Sequence, residues 1–363
     1  MTSTLNIAAP TSDQLLAWYD QHRREMPWRS APGQTPDPYH VWLSEIMLQQ
    51  TTVATVGAYF EKFIKRWPSL NDFAVSDLDD VLKMWAGLGY YARARNLHKC
   101  AGIVMAERGG DFPRTLKELQ NLPGIGPYTA AAVLSIAFDK RAVVVDGNVE
   151  RVMARIFAIE KPLPHSKPLL KTCADTLTPD KRSGDYAQAV MDLGATVCKP
   201  KKPSCSICPW LASCNANKQG IQEQLPRKIK KTPIPTRRGT AFWLQRQDGK
   251  VLLRKRPAKG LLGAMMEIPS TPWIDTAQKR PEDSMPETHV PMETVWHKNK
   301  CQIVRHTFTH FHLELNIWQA SPDTEATLTD AADEKRCSWV SINELDDQAL
   351  PTLMRKVVSS VLK

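Results

Sequence analysis

No stretch of this 363-residue chain approaches the roughly 18 consecutive apolar residues that span a bilayer. The opening Met1–Ser12 also lacks the basic segment followed by an apolar one that marks a secretory leader. A soluble, cytoplasmic protein with no targeting signal and no membrane partner is therefore expected. Eight cysteines are too few for a disulfide scaffold at this length, so the core must come from apolar packing. Internal repeats are missing, and between Ser12 and about Leu211 convincing strand-like alternation is nearly missing too.

What is present there is apolar residues recurring at three and four positions, the period of packed helices. One helix is expected from Tyr39 towards Trp67, with Trp42, Ile46, Val53, Val56, Phe60, Phe63 and Trp67 as its buried stripe and a break near Gly57. The pattern changes at residues 218–238, where Lys218, Arg227, Lys228, Lys230, Lys231, Arg237 and Arg238 are interleaved with Pro226, Pro233 and Pro235. Proline discourages regular helix, so this segment reads as a basic linker, either a solvated tether or a strap along a phosphate backbone. Beyond it, Thr240–Arg246 and Val251–Arg256 read as a hairpin around Gln247–Lys250, with further strands at Gln302–His306 and His312–Trp318. A polar surface loop is expected around Pro281–Pro291, and a closing amphipathic helix carries Leu350, Leu353, Met354, Val357, Val358 and Val361 on one face. The organisation is multidomain, α followed by α+β: 1–217 helical, 218–238 linker, 239–363 mixed. A formal charge of +10 favours a polyanionic partner.

Four of the cysteines crowd together with the spacing Cys198-x6-Cys205-x2-Cys208-x5-Cys214. Four thiolates from a short segment suit tetrahedral zinc or a cubane 4Fe-4S cluster, and the chemistry alone does not choose. Zinc sites more often show two close pairs separated by a longer span, so the single compact run leans towards iron and sulfur. Ligation there would order a loop too small to have its own core and hold Lys199, Lys201 and Lys202 where phosphates could meet them.

Residues Leu122–Ala130, reading LPGIGPYTA, lie between the helical Arg114–Asn121 and Ala130–Phe138. Gly124 and Gly126 permit a tight turn, and their amides beside a helix N-terminus suit a phosphate oxygen without reading a base; an ordinary helix-linking turn has the same pattern. Two carboxylates attract notice. Glu45 falls on a largely apolar helical face with Val41, Trp42 and Leu48, where desolvation raises a carboxyl pKa towards the range of a general acid. Asp146 follows the apolar run Ala142–Val145 and opens Asp-Gly-Asn, so taken alone it is a turn residue, with Asn148 a helix cap. Together they fit the cleavage of a glycosidic bond, which wants an acid at the leaving group and a carboxylate near the cationic sugar.

These segments, with Met26–Arg29, Val41–Thr51, Gly87–Leu97 and Val145–Val149, resemble the endonuclease III superfamily of helix-hairpin-helix glycosylases, and more closely its MutY branch of adenine DNA glycosylases. The resemblance implies an all-α glycosylase domain with a 4Fe-4S cluster loop. It implies that Glu45 protonates N7 of a flipped-out adenine, that Asp146 stabilises the oxocarbenium-like sugar or bonds to it transiently, and that Asn148 orients the water. Arg29 and Gln188 then lie around the adenine, while Gln49, Gln50, Thr51, Leu88 and Tyr90 contact DNA near the opposite base or wedge the stack. Bifunctional relatives carry a lysine nucleophile where this chain has Tyr128, so a monofunctional enzyme is implied. The second domain resembles the Nudix-related module of that branch, without the glutamate-rich hydrolase box, and would recognise 8-oxoguanine through Phe308, Thr309 and His310; threonine stands where the family usually has serine. The implied partner is duplex DNA with A:8-oxoguanine or A:G mispairs, bound by a monomer at the bacterial nucleoid, with other repair proteins as further partners.

Overall fold

The structure is a computed structural model describing residues 9–230, 232–275, 290, 292, 294–323 and 336–363. The loop expected around Pro281–Pro291 lies outside the described residues except for Val290. The chain forms two compact units, residues 1–75 with 96–231 and residues 76–95 with 232–363. The division expected at 217 and 239 therefore misses one exchange: residues 76–95, from the helical half of the sequence, pack with the second unit.

The first unit is helical: α1 (Ser12–His22), α2 (Pro38–Leu48), α3 (Val53–Arg66), α4 (Leu70–Ala74), then, after α5 (Leu78–Trp85) of the second unit, α6 (Ala92–Arg108), α7 (Leu116–Gln120), α8 (Pro127–Phe138), α9 (Gly147–Ile156), α10 (Lys167–Leu177), α11 (Ser183–Thr196) and α12 (Asn215–Lys218). Polar caps set many of the starts. Thr11 and Gln14 close a capping box on α1, Asp37 caps α2 ahead of Pro38, and Thr52 and Thr115 cap α3 and α7. The single helix expected from Tyr39 to Trp67 is two, and the break falls at Gln49–Thr52, not at Gly57, which sits inside α3. Gln50 adopts a positive φ of 59° and Thr52 caps the next helix, so the local polar chemistry overrides the continuous apolar stripe. Helix α2 is buried along nearly its whole length, from Tyr39 to Met47.

The basic segment is not a free tether. Leu225 is buried in the core of the first unit beside Val152, Ile156 and Trp210, and the amide of Leu163 donates to the Arg227 carbonyl at 2.8 Å. Arg227 pairs with Glu160, and Arg238 pairs with Glu314 at 3.2 Å, so part of the basic charge has internal partners.

The second unit holds two sheets. One has strand order β4-β1-β6-β5 and the other β3-β2-β7, from β1 (Thr236–Leu244), β2 (Lys250–Lys255), β3 (Met266–Glu267), β4 (Ile274–Asp275), β5 (His297–Thr307), β6 (His312–Ala320) and β7 (Cys337–Ser341). The expected hairpin is a correction: β1 lies parallel to β6 while β2 joins the other sheet, and the hairpin character is confined to the turn, where Arg246 N–H donates to Lys250 C=O at 2.8 Å and Gln245 bridges Val251 in antiparallel fashion. The reason is that β1 is buried on both sides, with Ala241 and Trp243 in one core and Phe242 and Leu244 in another. Helix α13 (Thr352–Val361) covers the main core with Leu353, Met354 and Val357.

Candidate active site

Helices α2, α8, α9 and α11 converge on a cleft of about 1370 Å³ lined by Glu45, Tyr128, Asp146, Asn148 and Gln188. Glu45 is 6% exposed, and the phenol of Tyr128 donates to its Oε2 at 2.9 Å. Burial raises the Glu45 carboxyl to about 7, the Tyr128 hydrogen bond opposes that rise, the charge of Asp146 adds to it and that of Arg29 opposes it. Burial, then the charges of Glu45 and Asp146, push the phenol well above its ordinary value, so Tyr128 remains a proton donor.

Asp146 proves to be the N-cap of α9. Its Oδ1 accepts from the amides of Asn148 at 2.8 Å and Val149 at 2.7 Å, and its Oδ2 accepts from the Asn148 side-chain amide at 2.8 Å. Three donors at a helix N-terminus fix the orientation of this carboxylate. The Asn148 carbonyl oxygen accepts from Arg151 at 2.9 Å, and Arg151 also donates to the Cys198 carbonyl at 2.8 Å.

Arg29 lines the same cleft, but its fork already grips Asp192, which is fully buried, at 2.6 and 2.9 Å; Arg24 holds that carboxylate at 2.7 Å. Gln188, one turn before Asp192 on α11, reaches the Gly184 carbonyl at 3.3 Å. Gln49, Gln50 and Thr51 form the α2–α3 turn at the cleft edge, with Gln49 anchored to the Thr129 hydroxyl at 3.1 Å. The turn between α7 and α8 exposes Gly124 and Gly126 and buries Ile125. Gly124 has φ 78°, and a Cβ there would stand 2.9 Å from Asn96 Cβ, so glycine is required.

Cys198, Cys205, Cys208 and Cys214 line one small cavity together with Val152, Leu193, Val197 and Arg155. Among the described residues no three of His, Cys, Asp and Glu gather about a point fit for a single metal ion. Four thiols around one small cavity suit a metal or metal cluster held by thiolates. Arg155 is 2% exposed and donates to Cys198 Sγ at 3.2 Å and to the carbonyls of Lys199 at 2.7 Å and Pro200 at 3.1 Å. Its charge has no carboxylate partner among the described residues, and an anionic thiolate-bound cluster would supply the compensation. Burial pushes the Cys208 thiol up to about 12, so ligation has to draw off that proton. Lys199, Lys201 and Lys202 are exposed on the loop so held.

In the second unit, Phe308, Thr309 and His310 form the loop from β5 to β6, with Phe308 half-buried and the other two exposed. The Tyr90 and Thr309 hydroxyls are hydrogen-bonded at 2.9 Å. Tyr90 is 50% exposed, whereas Leu88 is 5% exposed and does not stand out as a wedge.

Residues 43–177 match the HhH-GPD superfamily of base excision DNA repair proteins, and residues 240–360 match the NUDIX domain. The human adenine DNA glycosylase is 36% identical, over 94% of this chain and 72% of its own length. That of Buchnera aphidicola subsp. Baizongia pistaciae is 32% identical over 96% of both. The chain belongs to the adenine DNA glycosylase family. Among solved structures, a thermostable thymine-DNA glycosylase is similar at 32% identity and TM-score 0.51, covering 57% of this chain and 95% of that one.

Within this family member, sequence reasoning missed Asp192, Arg24, Arg151 and Arg155. Asp192 had a signal, since it sits four residues from Gln188 on one helix. The arginines had none: Arg24 pairs with Asp192, 168 residues away, and Arg151 and Arg155 donate to carbonyls 43 to 47 residues away in the chain.

Glu45 carries a stability consequence. The native state holds its proton up to about 7 while the unfolded chain releases it near 4.5, so the native state binds more protons between those values. Stability falls as pH rises through that window and stays reduced above it. Glu45→Gln is therefore expected to gain on the order of 2 kcal/mol over the parent at pH 8, with the gain vanishing at about pH 4. Parallel urea-unfolding titrations check this, and equal pH dependence in both proteins would contradict it.

Proposed function

We propose that this chain hydrolyses the N-glycosidic bond of adenine mispaired with 8-oxoguanine or guanine in duplex DNA, as a monofunctional base-excision enzyme acting as a monomer. The observation that carries the proposal is the meeting in one cleft of a protonated, Tyr128-bound Glu45 and a donor-saturated Asp146. Membership of the adenine DNA glycosylase family supplies the base.

In this reading Glu45 gives its proton to N7 of the extruded adenine, and the C1′–N9 bond breaks with its electron pair going to N9. Asp146 faces the positive charge left on the sugar. Water then attacks C1′ and returns a proton to Glu45, leaving free adenine and an abasic site, while Asn148, fixed between Asp146 and Arg151, orients that water. Tyr128 steadies the acid and offers no amine for a Schiff base, which supports hydrolysis without strand cleavage. Asp192 holds Arg29 at the pocket wall with Gln188.

The hairpin amides and the exposed lysines of the cysteine loop suit backbone phosphates. The four cysteines hold a 4Fe-4S cluster that orders this loop and takes no part in bond breaking. The second unit reads 8-oxoguanine with Phe308, Thr309 and His310, and Tyr90 works beside Thr309.

In single-turnover assays the protein is expected to excise adenine opposite 8-oxoguanine, to leave an uncleaved abasic strand, and to resist borohydride trapping. Equal or better activity on oxidised pyrimidines would overturn this reading. For the cluster, metal analysis of the purified chain should give about four irons with visible absorption, and Arg155→Met should lower retained iron. Stoichiometric zinc without colour would reverse the assignment.

A further inference from the structure

We infer that Trp273 is a positioning residue for the Phe308–His310 turn, and that it sets how strongly the enzyme prefers one opposite base over another; this rests on the reading of that turn as the lesion-recognising element.

The turn needs support from outside itself. Strand β5 ends at Thr307 and β6 begins at His312, and the Phe308 amide donates to the Phe311 carbonyl at 2.9 Å to close the loop. Thr309 and His310 are exposed at its tip, so their placement is inherited from the rings at its base. Phe308 meets Phe311 at 4.8 Å and His306 at 4.7 Å between ring centroids, both from the hairpin itself. From other segments, Tyr90 is hydrogen-bonded to Thr309, Arg237 lies 4.4 Å from the Phe311 ring, and Trp273 gives the contact to Phe308: its ring stacks there at 5.7 Å and 27°, and lies 6.4 Å from Phe311.

Trp273 is itself held on two further sides. Gly239 of β1 makes its seat, because a Cβ there would fall 2.7 Å from Trp273 Cδ1 and 3.0 Å from a Leu315 methyl. A side chain at 239 would lift the ring off the strand. The Arg256 guanidinium lies 5.4 Å from the Trp273 ring, a cation–π distance. That guanidinium is fixed in turn by an ion pair with Glu267, which is 2% exposed and also takes Arg254 at 3.0 Å. A chain of contacts thus runs from buried Glu267 through Arg256 and Trp273 to Phe308, and so to the tip where Thr309 meets Tyr90.

A residue acting through this chain alters which opposite base is read and leaves the chemistry at Glu45 alone. The test measures single-turnover adenine excision opposite 8-oxoguanine and opposite guanine for the full-length protein and for Trp273→Leu, Trp273→Phe and Phe308→Ala, with thermal unfolding of each. Trp273→Leu is expected to reduce the ratio of the two rates about tenfold, through the 8-oxoguanine arm alone, and Trp273→Phe, which keeps a stacked ring, to retain most of it. If Trp273→Leu does not fold, Trp273→Met takes its place with the same expectation. An unchanged ratio in the Trp273 variants while Phe308→Ala lowers it would overturn the inference and leave the turn's role standing. An unchanged ratio in Phe308→Ala as well would overturn that role and the inference with it. Equal loss in both arms would mark Trp273 as merely structural and also overturn the inference.

Discussion

Glu45 is an acid placed where burial strips most of the solvation from its charge. Helix α2 is buried almost throughout, and the Glu45 carboxyl accepts a hydrogen bond from a phenol that will not give up its proton near neutral pH. The nearest cation, Arg29, is committed to Asp192, and Asp146 contributes a like charge. Burial and the charge of Asp146 keep the proton on Glu45, while the Tyr128 hydrogen bond and the charge of Arg29 limit the rise to about 7. The arrangement trades stability for a poised acid: burial raises its pKa, Tyr128 and Arg29 temper the rise, a buried Asp192 holds Arg29, and Asp146 is fixed by the start of α9.

The separation of roles proposed for the two carboxylates rests on their surroundings and not on residue type. Asp146 sits at a helix N-terminus with three hydrogen-bond donors, Glu45 in the middle of an apolar helix with one. Burial favours the neutral acid at Glu45, while the donors hold Asp146 in a fixed orientation at the same cleft.

Much of this was legible in the sequence because it depends on local pattern. The apolar period around Glu45 announced a desolvated acid, the glycine spacing of residues 122–130 announced the turn into α8, and the crowding of Cys198, Cys205, Cys208 and Cys214 announced a shared site. What local pattern does not encode is partner choice across the chain. Asp192 lies 163 residues from Arg29, so their pairing is invisible to periodicity. The apolar run of β1 suits a hairpin strand or a doubly buried central strand equally well, and packing on both faces decided for the latter. The basic segment read as a tether because proline and charge dominate its composition, yet Leu225 is buried in the first unit's core and Arg227 is bonded to Leu163 and Glu160.

The central claim is that a protonated Glu45 drives the reaction, and the pH dependence of single-turnover adenine excision tests it most directly. With the carboxyl near 7, the rate constant should be level below that value and fall about tenfold per unit above it. A rate constant that stays level or rises well above neutrality would contradict the account.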